Sequence, residues 1–272
     1  MLIIGEKING TRKQVGTAIR ERDATLIERL ALEQVEAGAR YLDVNAGTGP
    51  EREADDLIWL IQTVQKIVDV PLCLDSPNAA TLKLAIKAVE QQPMINSISG
   101  EPERLEHVLP LVAEHQCPVI VLALDDKGIP KTVDDRMDII DRLVRATRES
   151  GISDELLYID PLIMAISTGD DAGIIACETM RRVRQQYPDA HLTGGLSNMS
   201  FGSPARKYLN QAFLVLALEA GMDSAIMDPS SAGIAPLLLA TEAVLGRDRF
   251  CNKYNRAYRA GKLDITWLNH LA

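Results

Sequence analysis

Short apolar runs that end in an acid or an amide recur along the chain, and each is followed by a longer stretch with helical spacing. The runs fall at about residues 2–8, 41–45, 71–75, 94–97, 119–124, 156–159, 191–195 and 224–227. The helical stretches follow at about 24–38, 51–69, 78–89, 102–115, 133–149, 171–186, 206–221 and 235–245. In the first of them Leu26, Leu30, Val35 and Ala37 form the apolar stripe and Gly38 marks the end. Strands separated by helices pair in parallel through right-handed crossovers. Eight units of about 30 residues predict an α/β fold, a single (β/α)8 TIM barrel, in preference to an open doubly wound sheet. No linker rich in Pro, Gly or Ser and no charge block interrupts the series, so residues 1–272 read as one domain. Residues 249–272 are expected to add a C-terminal helical extension, suited to closing the barrel bottom or joining a homodimer interface.

A chain of 272 residues buries a large core without metal or disulfide staples. Its net charge of −9 argues against a nucleic-acid binder, which would present a basic patch. No apolar run reaches the roughly 20 residues that a membrane span needs. The opening MLIIGEKING turns polar too soon for a signal peptide, and a cytoplasmic protein is expected. Cys73, Cys117, Cys177 and Cys251 are widely separated and read as small buried hydrophobes. With His107, His115, His191 and His270 they make no zinc spacing, so no metal is expected.

In a barrel of this kind the C-terminal ends of the strands carry the site. Those ends hold Glu6, Lys7 and Asn9; Asp43 and Asn45; Asp75 and Ser76; Asn96 and Ser97; Asp125; Asp160; Ser197 and Asn198; and Asp228. Carboxylates and carboxamides converge on one end, with few cations beyond Lys7. A carboxylate accepts two parallel hydrogen bonds from an N–C–N edge, and an asparagine offers both donors and an acceptor. Together they match a 2-amino-4-oxo-pyrimidine ring, as in a pterin or a guanine. Singly, each residue has a plainer reading. Asp75 and Asp160 are also good helix caps. Asp43 reads as an orienting neighbour or a cap, and Ser197 and Asn198 also suit a tight turn. Asp125 and Asp126, in a DDKG turn, read as loop residues.

The motifs LIIGEKING, LDVNAG, LCLDS, MINSISGE, YIDPLI and GLSNMSFG stand in order over about residues 1–250. In that order they resemble the methyltetrahydrofolate:corrinoid protein methyltransferases of the pterin-binding family. NSIS and SNMSF are also similar to the folate module of cobalamin-dependent methionine synthase. The resemblance implies methyl transfer between N5 of tetrahydrofolate and the cobalt of a corrinoid (cobalamin), in a direction set by the pathway. Asp75, Asn96 and Asp160 match pterin-binding positions, and Asn198 matches the asparagine that reaches N5. Gly195 and Ser197 would line the wall beside it. Arg206 matches a basic position after strand seven, where it would meet the folate tail or the partner. Phe201 departs from the polar residue associated with acetogenic members.

The same resemblance implies that Asn198, Asp160 and Asp75 carry the catalysis. Asparagine lacks a useful pKa, so Asn198 would act through a hydrogen bond to N5. The proton would come from water or a network that includes an aspartate. The same resemblance implies that the corrinoid is carried by a separate protein, which would dock at the barrel mouth. Dihydropteroate synthases share the pocket but carry a Ser-x-Arg motif after the last strand, where this chain has MDPSSAG. A non-catalytic folate-binding barrel is the other alternative. A thiol-directed zinc methyltransferase would need a Cys/His cluster.

Overall fold

The computed structural model describes residues 1–263. Eight parallel strands run β1 (Leu2–Asn9), β2 (Tyr41–Asn45), β3 (Leu72–Asp75), β4 (Met94–Ile98), β5 (Val119–Leu122), β6 (Leu157–Asp160), β7 (His191–Leu192) and β8 (Ser224–Met227). Each pairs with its sequence neighbour, and β1 pairs with β8. The ring shuts at β7 and β8, where the Ile226 amide donates to the Gly194 carbonyl at 3.0 Å and Gly195 bridges to Ile226. The expected (β/α)8 barrel is therefore present.

The helices pack outside the strands: α1 (Lys13–Glu21), α2 (Ala24–Glu36), α3 (Pro50–Gln65), α4 (Ala79–Ala85), α5 (Pro102–His107), α6 (Leu109–His115), α7 (Val133–Glu149), α8 (Ala172–Gln186), α9 (Arg206–Glu219), α10 (Ile234–Val244) and α11 (Asn252–Arg259). Their starts follow local chemistry. Asp23 caps α2 by accepting from the Thr25 amide, and Asn78 caps α4 through the Ala80 amide. Thr132 and Asp135 form a reciprocal capping box on α7. Gly38, at φ +106°, ends α2 in a conformation that side chains disfavour. Leucine, isoleucine and valine from both layers make one large core between the strands and helices. A smaller cluster of Ile4, Cys73, Met94, Ile120 and Tyr158 fills the barrel interior.

Several expectations need adjusting. The stretch before residue 24 contains α1, whose buried Val15, Ala18 and Ile19 keep helical spacing around an interior glycine. The helix expected at 102–115 divides at Val108, because Pro110 supplies no amide for a continuous ladder. Strand seven stops at Leu192, and Gly194 and Gly195 follow. Cys251 is exposed, against the expectation of four buried thiols; it lies in the turn before α11, away from the core. In the C-terminal extension α11 packs on α10, and residues 264–272 lie outside the described part. Among the described residues no helix is long and apolar enough to cross a membrane.

The β1 and β2 ends approach closely at Gly10, where a Cβ would collide with the Ala46 carbonyl. Gly10→Ala is therefore expected to lower the unfolding free energy by about 1–3 kcal/mol. Urea denaturation measures this, and a variant as stable as the parent would refute the tight approach.

Candidate active site

Register places the polar residues side by side. Asn45 of β2 lies opposite Asp75 of β3, and Asp75 opposite Asn96 of β4. Further round, Leu122 of β5 lies opposite Asp160 of β6. The strand ends thus form an arc of amides and acids at one barrel mouth. Asn45 Nδ2 donates to Asp75 Oδ2 at 2.8 Å, and Asn96 Nδ2 donates to Asp43 Oδ1 at 3.2 Å. Asp160 Oδ1 accepts from the Leu162 amide at 2.8 Å. Since Asn78 caps α4, Asp75 is not the cap of that helix.

Burial sets the acids' proton affinities. Asp43 is pushed well above the ordinary carboxylate range, first by burial and then by the charge of Asp75. Burial raises Asp75 too, while the Asn45 amide and the Arg104 guanidinium oppose it. Burial lifts Asp160 to about 6, against the Leu162 amide, Arg136 and the amides of Ile163 and Gly195. Burial thus raises all three acids, and Asp160, at about 6, remains mostly ionised at neutral pH. Asn96 is oriented by Asp43 and Asp75 by Asn45, and Asp75 and Asp160 keep further acceptor capacity for a flat ring with adjacent N–H groups.

The other wall is the 3-10 turn Leu196–Ser200. Ser197 Oγ donates to Glu6 Oε2 at 2.9 Å, and Arg12 holds the other Glu6 oxygen at 2.9 Å, which ties the β1 and β7 ends together. Arg206 Nη2 donates to the Ser197 carbonyl at 2.7 Å and its Nε to Ser200 Oγ at 3.0 Å, over the exposed Phe201 ring. Asn198 is exposed, and its amide nitrogen lies so near Gly195 that a Cβ there would stand 2.8 Å away. Gly195 thus leaves room for the Asn198 amide.

Two clefts open at this end. One of about 400 Å³ is lined by Asp75, Asn96, Ser97 and Arg104. The other, about 300 Å³, is lined by Glu6, Arg12, Ser197 and Arg206. A larger hollow of about 640 Å³ lies beside the β5–α7 loop, but its Asp125 is occupied by Arg142 at 2.5 Å and by the Lys127 amide. It is a surface groove apart from the arc of acids.

Sequence reasoning overlooked the cations behind the arc. Arg104 donates to the Ser76, Pro77 and Ser97 carbonyls, and Arg136 to those of Pro161 and Leu162. Both are buried. A signal was present: Arg104, Val108 and Leu111 share one buried stripe, as do Arg136, Ile140, Leu143 and Thr147. An arginine on an apolar stripe points inward. Asn45 stands at a strand end in the sequence, but its bond to Asp75 follows only from the register of β2 and β3.

Comparison with known proteins adds a family. The profile described as pterin binding enzyme matches residues 5–228. The methylcorrinoid:tetrahydrofolate methyltransferase of Eubacterium limosum is 41% identical over 265 residues, covering 97% of this chain and 98% of that protein. The methionine synthase of Mycobacterium tuberculosis (strain ATCC 25618 / H37Rv) is 31% identical over 243 residues, 85% of this chain but 20% of its own length. Among solved structures, dihydropteroate synthase from Xanthomonas albilineans in complex with 7,8-dihydropteroate has a TM-score of 0.70 at 19% identity, covering 90% of this chain and 93% of that one. The Yersinia pestis enzyme with a pterine-sulfa conjugate also scores 0.70, at 16% identity over 90% of this chain and 93% of its own. At those identities the structural likeness concerns the fold.

Asp160 generates a stability prediction. Its folded-state pKa of about 6 lies above the ordinary 3.8, so between these values the folded chain binds more protons than the unfolded chain. Stability therefore falls as pH rises through that window and stays lower above it. Asp160→Asn, which keeps the acceptor for the Leu162 amide, is expected to be more stable than the parent by roughly 2 kcal/mol at pH 8. The difference should vanish near pH 4. Urea midpoints at the two pH values test this, and a variant less stable at pH 8 would contradict it.

Proposed function

Because the chain belongs to the pterin binding enzyme family, we propose that it is a methyltransferase acting between N5 of tetrahydrofolate and a corrinoid protein. The observation that supports this reading is the strand-end arc, with half-buried Asp75 and buried Asp160 as acceptors and an exposed Asn198 in the turn after β7. We take the direction from the full-length relative, whose name describes a methylcorrinoid donor and tetrahydrofolate as acceptor.

The residues present suit a reduced pterin. Asp160 and Asp75 accept the paired N–H bonds of the 2-amino-pyrimidine edge, and Asn96, oriented by Asp43, supplies a complementary amide. Gly195 and Ser197 wall the ring, and Arg206 stands at the mouth for the folate tail or the docking protein. The corrinoid, carried in trans, supplies the cobalt that gives or takes the methyl group.

The carboxamide of Asn198 serves either direction. Its oxygen accepts the N5–H of tetrahydrofolate before that proton leaves, and its NH2 donates to N5 when the methylated amine must depart. A hydrogen bond of this kind is worth about 1.5–3 kcal/mol when one partner gains charge. A proton released at N5 passes to water or to the acids of the arc. The corrinoid protein docks over the mouth, where exposed Phe201 and Ile174 offer apolar contacts. We further read residues 1–272 as one catalytic module acting in the cytoplasm. We read it as a homodimer, with exposed Val244, Phe250 and Tyr258 near α10 and α11 supporting that assembly.

The test mixes pure protein with methylcobalamin and tetrahydrofolate and follows cobalt absorbance, then repeats the reaction from methyltetrahydrofolate with reduced cobalamin. Methyl movement is expected, and none in either direction would sink the reading. Asn198→Ala should lower turnover roughly 10- to 100-fold with the fold intact. Equal turnover would remove Asn198 from the chemistry.

A further inference from the structure

Behind the pocket lies a cation that this reading leaves unused. Arg136, in the first turn of α7, is 2% exposed and has no salt bridge among the described residues. Its Nη1 donates to the Pro161 carbonyl at 2.6 Å and to the Leu162 carbonyl at 2.8 Å, while Nε has no partner among the described residues. Those carbonyls belong to the two residues directly after Asp160. Leu162 sits at φ +62°, a conformation unfavourable for a leucine, and its amide is the one that Asp160 accepts. The guanidinium therefore grips, from outside the barrel, the turn that aims the Asp160 carboxylate.

A buried guanidinium is an expensive choice for a purely structural clamp. A neutral amide would bond two carbonyls without removing a charge from water. The charge is explained if it acts on Asp160. Arg104 repeats the arrangement behind β3 and β4, where it bonds the Ser76, Pro77 and Ser97 carbonyls and faces Asp75.

We propose that Arg136 is a positioning residue for Asp160: it holds the Pro161–Leu162 turn and places a positive charge behind the carboxylate that takes the ligand. The inference rests on the pterin reading of the site. The groups facing Asp160 are Arg136 from α7, the Leu162 and Ile163 amides of its own loop, and the Gly195 amide from the β7 end. Asp171, at the start of α8, faces Arg136 from the other side. Among these Arg136 supplies the positive charge, and it opposes the burial that raises Asp160.

The experiment measures methyltetrahydrofolate binding to the whole protein by titration calorimetry from pH 5 to 8. Wild type, Arg136→Lys and Arg136→Met are compared, so the ligand's own ionisation cancels. Arg136→Met removes the charge but keeps much of the volume. Its pH midpoint for binding should rise by about one unit, with roughly fivefold weaker binding near pH 6. Arg136→Lys keeps the charge but grips one carbonyl. It should hold the wild-type midpoint and bind several-fold more weakly at every pH. A uniform loss in Arg136→Met with an unmoved midpoint would overturn the electrostatic role. If Arg136→Met does not fold, Arg136→Lys decides: a shifted midpoint or undiminished affinity overturns the proposal. Wild type that binds while both variants match it overturns this inference alone. Wild type that does not bind at any pH overturns the pterin reading with it.

Discussion

Asp43, Asp75 and Asp160 are carboxylates at the end of one parallel sheet, and among the described residues none of them makes a salt bridge. Burying acids without ion partners is unfavourable unless hydrogen bonds replace water. Each strand-end device here meets that demand. Asn45 and Asn96 give their amides to Asp75 and Asp43, and backbone amides serve Asp160. Arg104 and Arg136 lie one layer behind and grip carbonyls rather than the acids. The cations thus lend their fields without filling the acceptor sites, and those stay open towards the mouth.

The barrel geometry makes this possible. Parallel pairing brings Asn45, Asp75 and Asn96 level across three strands. Closure through Gly194 and Gly195 brings the β7 turn close to β6: a Cβ on Gly194 would stand 2.5 Å from Ile163 Cδ1 and 3.2 Å from Asp160 Oδ1. The same closure brings Ser197 to Glu6, so the first and seventh strand ends support each other although 191 residues separate them in sequence. Wall and floor of the pocket depend on the ring being shut.

Much of this was legible beforehand because strand ends are marked twice, by the end of an apolar run and by an acid or amide. Asp75, Asn96 and Asp160 stand where those two signals coincide. The roles of Asn45 and Asp43 were harder to separate. Both acids and both amides have the same polarity, and only register decides which amide meets which carboxylate. The buried arginines were missed because helical arginines usually point to solvent; their place on stripes shared with Val108 and Ile140 was readable but went unweighed. Helix α1 was hidden by the glycine in its middle, which lets the helix lie against Gly10. Cys251 differs from the other three cysteines because it belongs to the turn before α11 and not to the core.

On the pterin reading, the arc is adjusted for an occupant rather than for the empty fold. With its proton affinity raised to about 6, Asp160 at neutral pH holds a charge that burial disfavours. A ring donating two N–H groups to the ionised carboxylate would relieve that penalty, and stability lost in the free protein would return as binding energy. The same coupling sets a direction in pH. Below about 6 a proton competes for Asp160, and a ligand that needs both oxygens must displace it. Above that value no proton has to leave. Burial, and then the charge of Asp75, raise Asp43 well above the ordinary carboxylate range as well. The three acids differ in ways that sequence motifs cannot express, because all three are the same amino acid. Burial, register and the arginines behind make the difference.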